Sequence, residues 1–237
     1  MQYSNKYIFF YAIGISTLTA VLLAFTAQAL KPRQEANIEL DFKTSILHSV
    51  NENFSERKEI EQAYSERVEE RVINSAGEEI EGVEVRNIVL KNELKKPVDE
   101  RQLPLFVYTG TDGKNRYVVP MQGTGLWGPI YGYLSIEDDF NTIFGAVFSH
   151  KSETPGLGAE IAEKPFQSQF PGKKLFDKSE SFVSVNVIKQ TAKTNLDRVH
   201  VVDGVSGGTV TSTGVDEMIK VCVKPYLTYF EKLKSAS

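Results

Sequence analysis

A single cysteine, Cys222, leaves this chain unable to form an intrachain disulfide. One thiolate also cannot build a zinc or iron–sulfur site, which needs several ligands. Histidine is scarce as well, and His48, His150 and His200 are scattered with no metal-ligand spacing. Basic charge is not in excess: 27 Lys and Arg against 31 Asp and Glu give a formal net charge of −4. That balance argues against a nucleic-acid partner, because phosphate contacts require clustered Lys and Arg. No Gly-x-Gly-x-x-Gly run leads from a strand pattern into a helix pattern, so no nicotinamide site is expected here.

Long uncharged runs free of proline and rich in apolar residues are absent too, with one exception. From Tyr7 to Leu30 there are 24 consecutive residues without a charge. A helix of that length reaches roughly 36 Å, enough for a hydrocarbon core of about 30 Å. Tyr3, Tyr7 and Tyr11 sit near one end, where aromatic rings favour the membrane interface. Ala27-Gln28-Ala29 also fits the small-x-small pattern of a signal-peptide cleavage site. The apolar run exceeds a usual signal-peptide core, so the reading adopted is a retained transmembrane anchor over residues 1–30. Lys6 before the span and Lys31 and Arg33 after it make the positive-inside rule close to a tie. Everything acidic lies after residue 30, and an acidic domain is not built to lie flat on an anionic bilayer.

Residues 31–99 form a charged helical and connecting region. Ile38, Phe42, Ile46, Leu47, Val50 and Phe54 recur at three- and four-residue spacing, and helical character is expected over residues 34–72. The alternating charges of residues 51–72 read as a solvated face with i,i+4 pairs. Asn74-Ser75-Ala76-Gly77 breaks the helix, and the alternation from Val83 to Leu90 predicts a strand.

Beyond Pro97 short apolar runs alternate with turns. Strands are expected at Leu103–Thr109, Arg116–Met121, Tyr131–Ile136, Ile143–Ser149, Phe182–Ile188 and Val199–Val202, with Thr111–Asn115 as a hairpin connection. The fold class is therefore α+β: one N-terminal transmembrane helix followed by a mainly antiparallel sheet packed with helices. A long amphipathic helix is expected from near Gly214, with Thr213 and Asp216 resembling a capping box. Val215, Met218, Ile219, Cys222, Val223, Tyr226, Leu227, Phe230 and Leu233 make its apolar face. Pro225 should kink or divide it, and Cys222 reads as a packing residue.

Three glycine-rich stretches carry the chemistry. Asp203-Gly204-Val205-Ser206-Gly207-Gly208-Thr209-Val210-Thr211-Ser212 packs three glycines and four hydroxyls between an apolar run and that helix. Glycine backbone and a helix N-terminus suit a phosphate, although the same residues make a polar turn. Gly123-Thr124-Gly125-Leu126-Trp127-Gly128-Pro129-Ile130-Tyr131-Gly132 holds the only tryptophan, for which a core role is equally open. His150-Lys151-Ser152-Glu153-Thr154-Pro155-Gly156-Leu157-Gly158-Ala159-Glu160 follows a strand and leads into a short helix. Such loops can border a flat ring and bond its edge.

Asp203-Gly204-Val205-Ser206-Gly207-Gly208-Thr209 resembles the flavinylation motif, Asp-x-x-Ser/Thr-Gly-Ala-Thr, of covalent FMN-binding domains. The Glu153–Gly158 and Gly125–Gly132 loops match that family too. Layout and motifs together resemble the C subunits of bacterial Na+-translocating NADH:quinone reductases, densely from about residue 100 to the end. The resemblance implies an FMN-binding domain over residues 100–237, with FMN esterified through its phosphate to Thr209. Asp203, Ser206, Gly207, Gly208 and Thr211 surround that link. Glu153, Thr154, Gly156, Leu157 and Gly158, with Trp127, are the candidates along the ring. It also implies a flavin transferase using FAD and magnesium, partner membrane subunits that oxidise NADH, and a periplasmic FMN domain. This chain would relay electrons, and ion passage would belong to partner subunits. Gly208 stands where the motif has alanine, and Thr211 and Ser212 are the nearby alternative hydroxyls. Two other readings stay open: the G subunit of the Rnf ferredoxin:NAD+ oxidoreductase, and a membrane-anchored, non-enzymatic flavin-binding module.

Overall fold

In a computed structural model that describes residues 4–236, the chain divides into two compact units, residues 1–42 and residues 43–237. The first helix, α1 (Asn5–Ser49), contains the apolar run and is long and apolar enough to cross a membrane. Tyr7 and Tyr11 stack within it, and Tyr3 lies outside the described residues. Of the expected apolar stripe, Ile46, Leu47 and Val50 are buried, whereas Ile38 is exposed.

The expected helical stretch over residues 34–72 is shorter than its charge pattern suggested. Helix α1 ends at Ser49, where Asn51 turns the chain with a positive φ of 61°. A second helix, α2 (Arg57–Arg67), carries an i,i+4 ion pair between Arg57 and Glu61 at 2.8 Å. The chain then becomes strand β1 (Val68–Ile73), in which Val72 and Ile73 are buried in the core while Glu69 and Glu70 face out. Tertiary pairing overrides helix propensity here. Asn74–Gly77 is a turn, with Gly77 at φ +70°, but it ends strand β1 where the end of a helix was expected.

The expected strand at Val83–Leu90 does not form. Val85–Asn87 is a 3₁₀ turn, and Leu90–Glu93 is a single helical turn, α3. Val85 is buried but Val89 is exposed, and among the described residues no strand pairs with this stretch to make a ladder.

Four strands follow where the sequence placed them: β2 (Leu103–Thr109), β3 (Asn115–Thr124), β4 (Pro129–Ile136) and β5 (Ile143–His150). With β1 they make a five-stranded antiparallel meander in the order β1-β2-β3-β4-β5. A short helix, α4 (Lys164–Gln167), comes next. The two remaining runs shrink to β6 (Asn186–Ile188) and β7 (Val201–Asp203), which pair in parallel.

Helix α5 (Thr209–Val223) packs across β3. Its Val215, Met218, Ile219 and Val223 join Val119, Leu134 and Phe148 of the sheet in one core. Burying each such side chain contributes roughly 1.5–3 kcal/mol. Pro225 divides the pattern as expected: a 3₁₀ turn at Lys224–Tyr226 leads into α6 (Leu227–Ala236). Cys222 is buried, and burial pushes its thiol up to about 11, consistent with a packing residue.

Candidate functional site

Strand β7 ends at Asp203, and the chain reaches α5 through one tight turn. The Gly208 N–H donates to Val205 O at 3.1 Å, and Gly207 sits at φ +75°, a conformation open to glycine. Helix α5 begins at Thr209, five residues before the expected start at Gly214. The expected capping box is not formed. Asp216 instead accepts from Val187 N at 2.9 Å and from Lys220 Nζ at 2.7 Å, while the Thr213 hydroxyl donates to Thr209 O. Ser212 accepts from Val205 N at 2.9 Å and so ties the first turn of the helix back to the loop. Gly208 occupies the N-cap without a capping side chain, leaving the first-turn amides uncovered by one.

Burial sorts the hydroxyls of this turn. Thr211 is 1% exposed and Ser212 5%, and both oxygens are engaged in internal hydrogen bonds. Thr209 is exposed at the first helical position, and Ser206 is exposed in the loop before it. Thr211 and Ser212 are therefore less open to a bulky substituent than Thr209 is.

Three loops meet at Glu153, which is only 5% exposed. One carboxylate oxygen accepts from Trp127 N at 2.8 Å, and the other accepts from the Thr211 hydroxyl at 2.6 Å. Ser152 adds a hydrogen bond to Trp127 O at 3.1 Å. A Cβ at Gly125 would lie 2.6 Å from the first carboxylate oxygen, and a Cβ at Gly158 would overlap the second oxygen and the Thr211 hydroxyl. The two glycines are thus explained by the space Glu153 occupies. Leu157 lies against Gly207, and Gly158 N lies 3.2 Å from where a Cβ on Gly208 would be, so the 153–158 loop touches the Asp203–Thr209 turn directly. Gly156, at φ +75°, accommodates the bend and donates to Glu160 at 3.0 Å.

Behind the turn, Gln169 binds both backbone groups of Asp203, accepting from its N–H at 2.9 Å and donating to its carbonyl at 3.2 Å. The Asp203 carboxylate pairs with Arg198 at 3.3 Å. Lys173 is held below the usual lysine range by burial and by the Arg198 guanidinium. Sequence reasoning missed Gln169, because a lone glutamine in an irregular segment carries no spacing signal.

The outer surface of the junction is apolar. Trp127 is 65% exposed, so a core role is excluded, and Leu126 next to it, Leu157 in the loop after β5 and Val210 at the start of α5 are exposed as well. Thr154 is exposed as well. The arrangement therefore offers an accessible hydroxyl on a helix start with uncovered amides, bordered by loops bearing exposed apolar side chains. It fits a phosphorylated molecule with a flat aromatic ring, and the anion would lie at the positive end of the helix dipole.

Comparison with known proteins agrees with that chemistry. The FMN-binding domain family matches residues 125–224, which take in the greater part of the three glycine-rich stretches. The C subunit of the Na+-translocating NADH-quinone reductase of Neisseria meningitidis is 32% identical over 243 residues, covering 94% of this chain and 92% of the relative. Its counterpart in Haemophilus ducreyi is 30% identical, covering 94% and 93%. Among solved structures, the C subunit of the reductase from Parabacteroides distasonis superposes with a TM-score of 0.75 at 42% identity, over 85% of this chain and 96% of that one. NqrC of Shewanella oneidensis gives 0.70 at 29% identity, over 82% and 97%. Matched along nearly its whole length in sequence and fold, the chain belongs to the family of C subunits of the Na+-translocating NADH-quinone reductases.

Proposed function

We propose that this chain is the electron-relay subunit of a membrane Na+-translocating NADH:quinone reductase, with FMN esterified through its phosphate to Thr209. The observation that carries the linkage is the position of Thr209: in register with Asp203, exposed, and first in α5. The uncovered amides of that first turn would hold the remaining phosphate charge. Thr154, Gly156, Leu157 and Trp127 would border the ring, and Asp203, Ser206, Gly207 and Gly208 would shape the turn that presents Thr209. FMN supplies reversible electron uptake and release, and the protein's part is to orient it and tune it by hydrogen bonds and local charge.

Other subunits of the complex are the partners, and they would supply the NADH site. The same reading includes maturation by a flavin transferase and an FMN domain on the periplasmic face. It also includes a division into an anchor over residues 1–30, a connecting region over 31–99 that lends β1 to the sheet, and an FMN-binding domain over 100–237. The names of the relatives favour the sodium pump over the Rnf complex.

In-gel flavin fluorescence after denaturation tests the linkage, with wild type and Thr209→Ala each co-expressed with a flavin transferase. Wild type should fluoresce and Thr209→Ala should be dark. A fluorescent Thr209→Ala band overturns the assignment. Two dark bands favour a non-covalent, membrane-anchored flavin-binding module.

A further inference from the structure

We infer that Glu153 is a positioning residue, a clamp that holds the Trp127 hairpin against the first turn of α5. The inference deepens the flavin reading and rests on it for its functional consequence. Glu153 bonds to each of the elements that converge there. It projects from the loop after β5, takes the Trp127 N–H at 2.8 Å, and takes the Thr211 hydroxyl at 2.6 Å, two positions beyond Thr209. Its own N–H donates to His150 Nδ1 at 3.2 Å, which fixes the start of the loop on the last residue of β5. Gly125 and Gly158 leave open the volume that the carboxylate fills.

A carboxylate this buried would be costly without donors, and each oxygen has one. With both oxygens so engaged, Glu153 is not placed to bond the edge of a ring. It acts through others: Thr211 fixes the turn that carries Thr209, and the Trp127 backbone fixes the hairpin whose indole stays exposed. Losing the clamp would leave both loops free to drift apart, and misplacement by about 1 Å can cost a positioned reaction on the order of 100-fold.

The test uses the full chain and two readouts. Trp127 is the only tryptophan, so its fluorescence anisotropy reports the hairpin directly. Measured in a Thr209→Ala background, it reports the hairpin with no flavin attached. Anisotropy should fall in Glu153→Ala and in Thr211→Val. It should hold in Glu153→Gln, whose amide keeps an acceptor for Trp127 N–H and a donor for the Thr211 oxygen. The second readout is the rate of flavinylation with Thr209 intact. Glu153→Ala and Thr211→Val should slow it by roughly tenfold or more, and Glu153→Gln should restore it. If Glu153→Ala does not fold, Thr211→Val carries the test, because it removes one hydroxyl at constant shape. Wild-type flavinylation in Thr211→Val, or a Glu153→Gln variant as slow as Glu153→Ala, overturns the clamp. A wild-type chain that takes no flavin at all defeats the flavin reading instead, and the anisotropy comparison still decides whether Glu153 holds the hairpin.

Discussion

The two ends of the five-stranded sheet are built on opposite plans. At the end where β3 meets β4 and β5 finishes, glycines crowd around one buried carboxylate and the large side chains Leu126, Trp127 and Leu157 point outward. At the other end, beyond Ile136 and Ile143, lies a cavity of about 640 Å³ lined by Phe140, Asn141, Phe176, Leu227 and Phe230 with a charged rim. Phe140 and Phe230 stack there at 5.4 Å between centroids. This cavity lies at the aromatic end, whereas the candidate site lies at the crowded one. A cofactor tethered by its phosphate needs an anchor and a surface to lie on, and glycine supplies close backbone approach where a cavity would supply only volume.

Three substitutions would break or sharpen this contrast. Phe230→Ala, at the aromatic end, removes a buried ring that also packs on Tyr117 and should cost about 3–5 kcal/mol of stability. Chemical denaturation would measure that loss, and the chain that remains folded should still be flavinylated at Thr209. A Phe230→Ala chain that folds but takes no flavin would show that the two ends are coupled. Gly158→Ala, at the glycine end, forces a Cβ into Glu153 and Thr211 and should cost about 1–3 kcal/mol. Here in-gel fluorescence should fall along with stability, whereas in Phe230→Ala stability alone should fall.

Gly208→Ala should have the smallest effect. Its φ of −103° suits alanine, and the new Cβ would meet Val205 at 3.1 Å and Gly158 N at 3.2 Å, within reach of a small adjustment. Stability should change by less than about 1 kcal/mol, with flavinylation retained. A large loss of either would mean that this chain's turn has been repacked around glycine and departs from the motif in more than name.

Much of the sheet was legible in the sequence, because β2 to β5 are short apolar runs ended by turn residues. The candidate loops were legible through their glycines, and Thr209 through its register to Asp203. Less legible were elements whose partners lie far along the chain. β1 was hidden in a charged, helix-like stretch until it paired with β2, and Val83–Leu90 alternated without a neighbour to pair with. The start of α5 was misplaced because Thr209–Thr213 is poor in helix formers, and the bonds that stabilise its first turn come from Ser212 to Val205 and from Thr211 to Glu153.

The sequence by itself determined an apolar run fit to cross a membrane, an α+β domain with a buried Cys222, and a glycine-rich turn carrying several hydroxyls. Only the tertiary structure sorts those hydroxyls by exposure. The register to Asp203 favours Thr209 in the sequence but says nothing of burial, and the packing of α5 turns Thr211 and Ser212 inward, where Glu153 and Val205 bind them. Thr209 is left facing solvent, because exposure of a side chain depends on what packs against it from elsewhere in the chain.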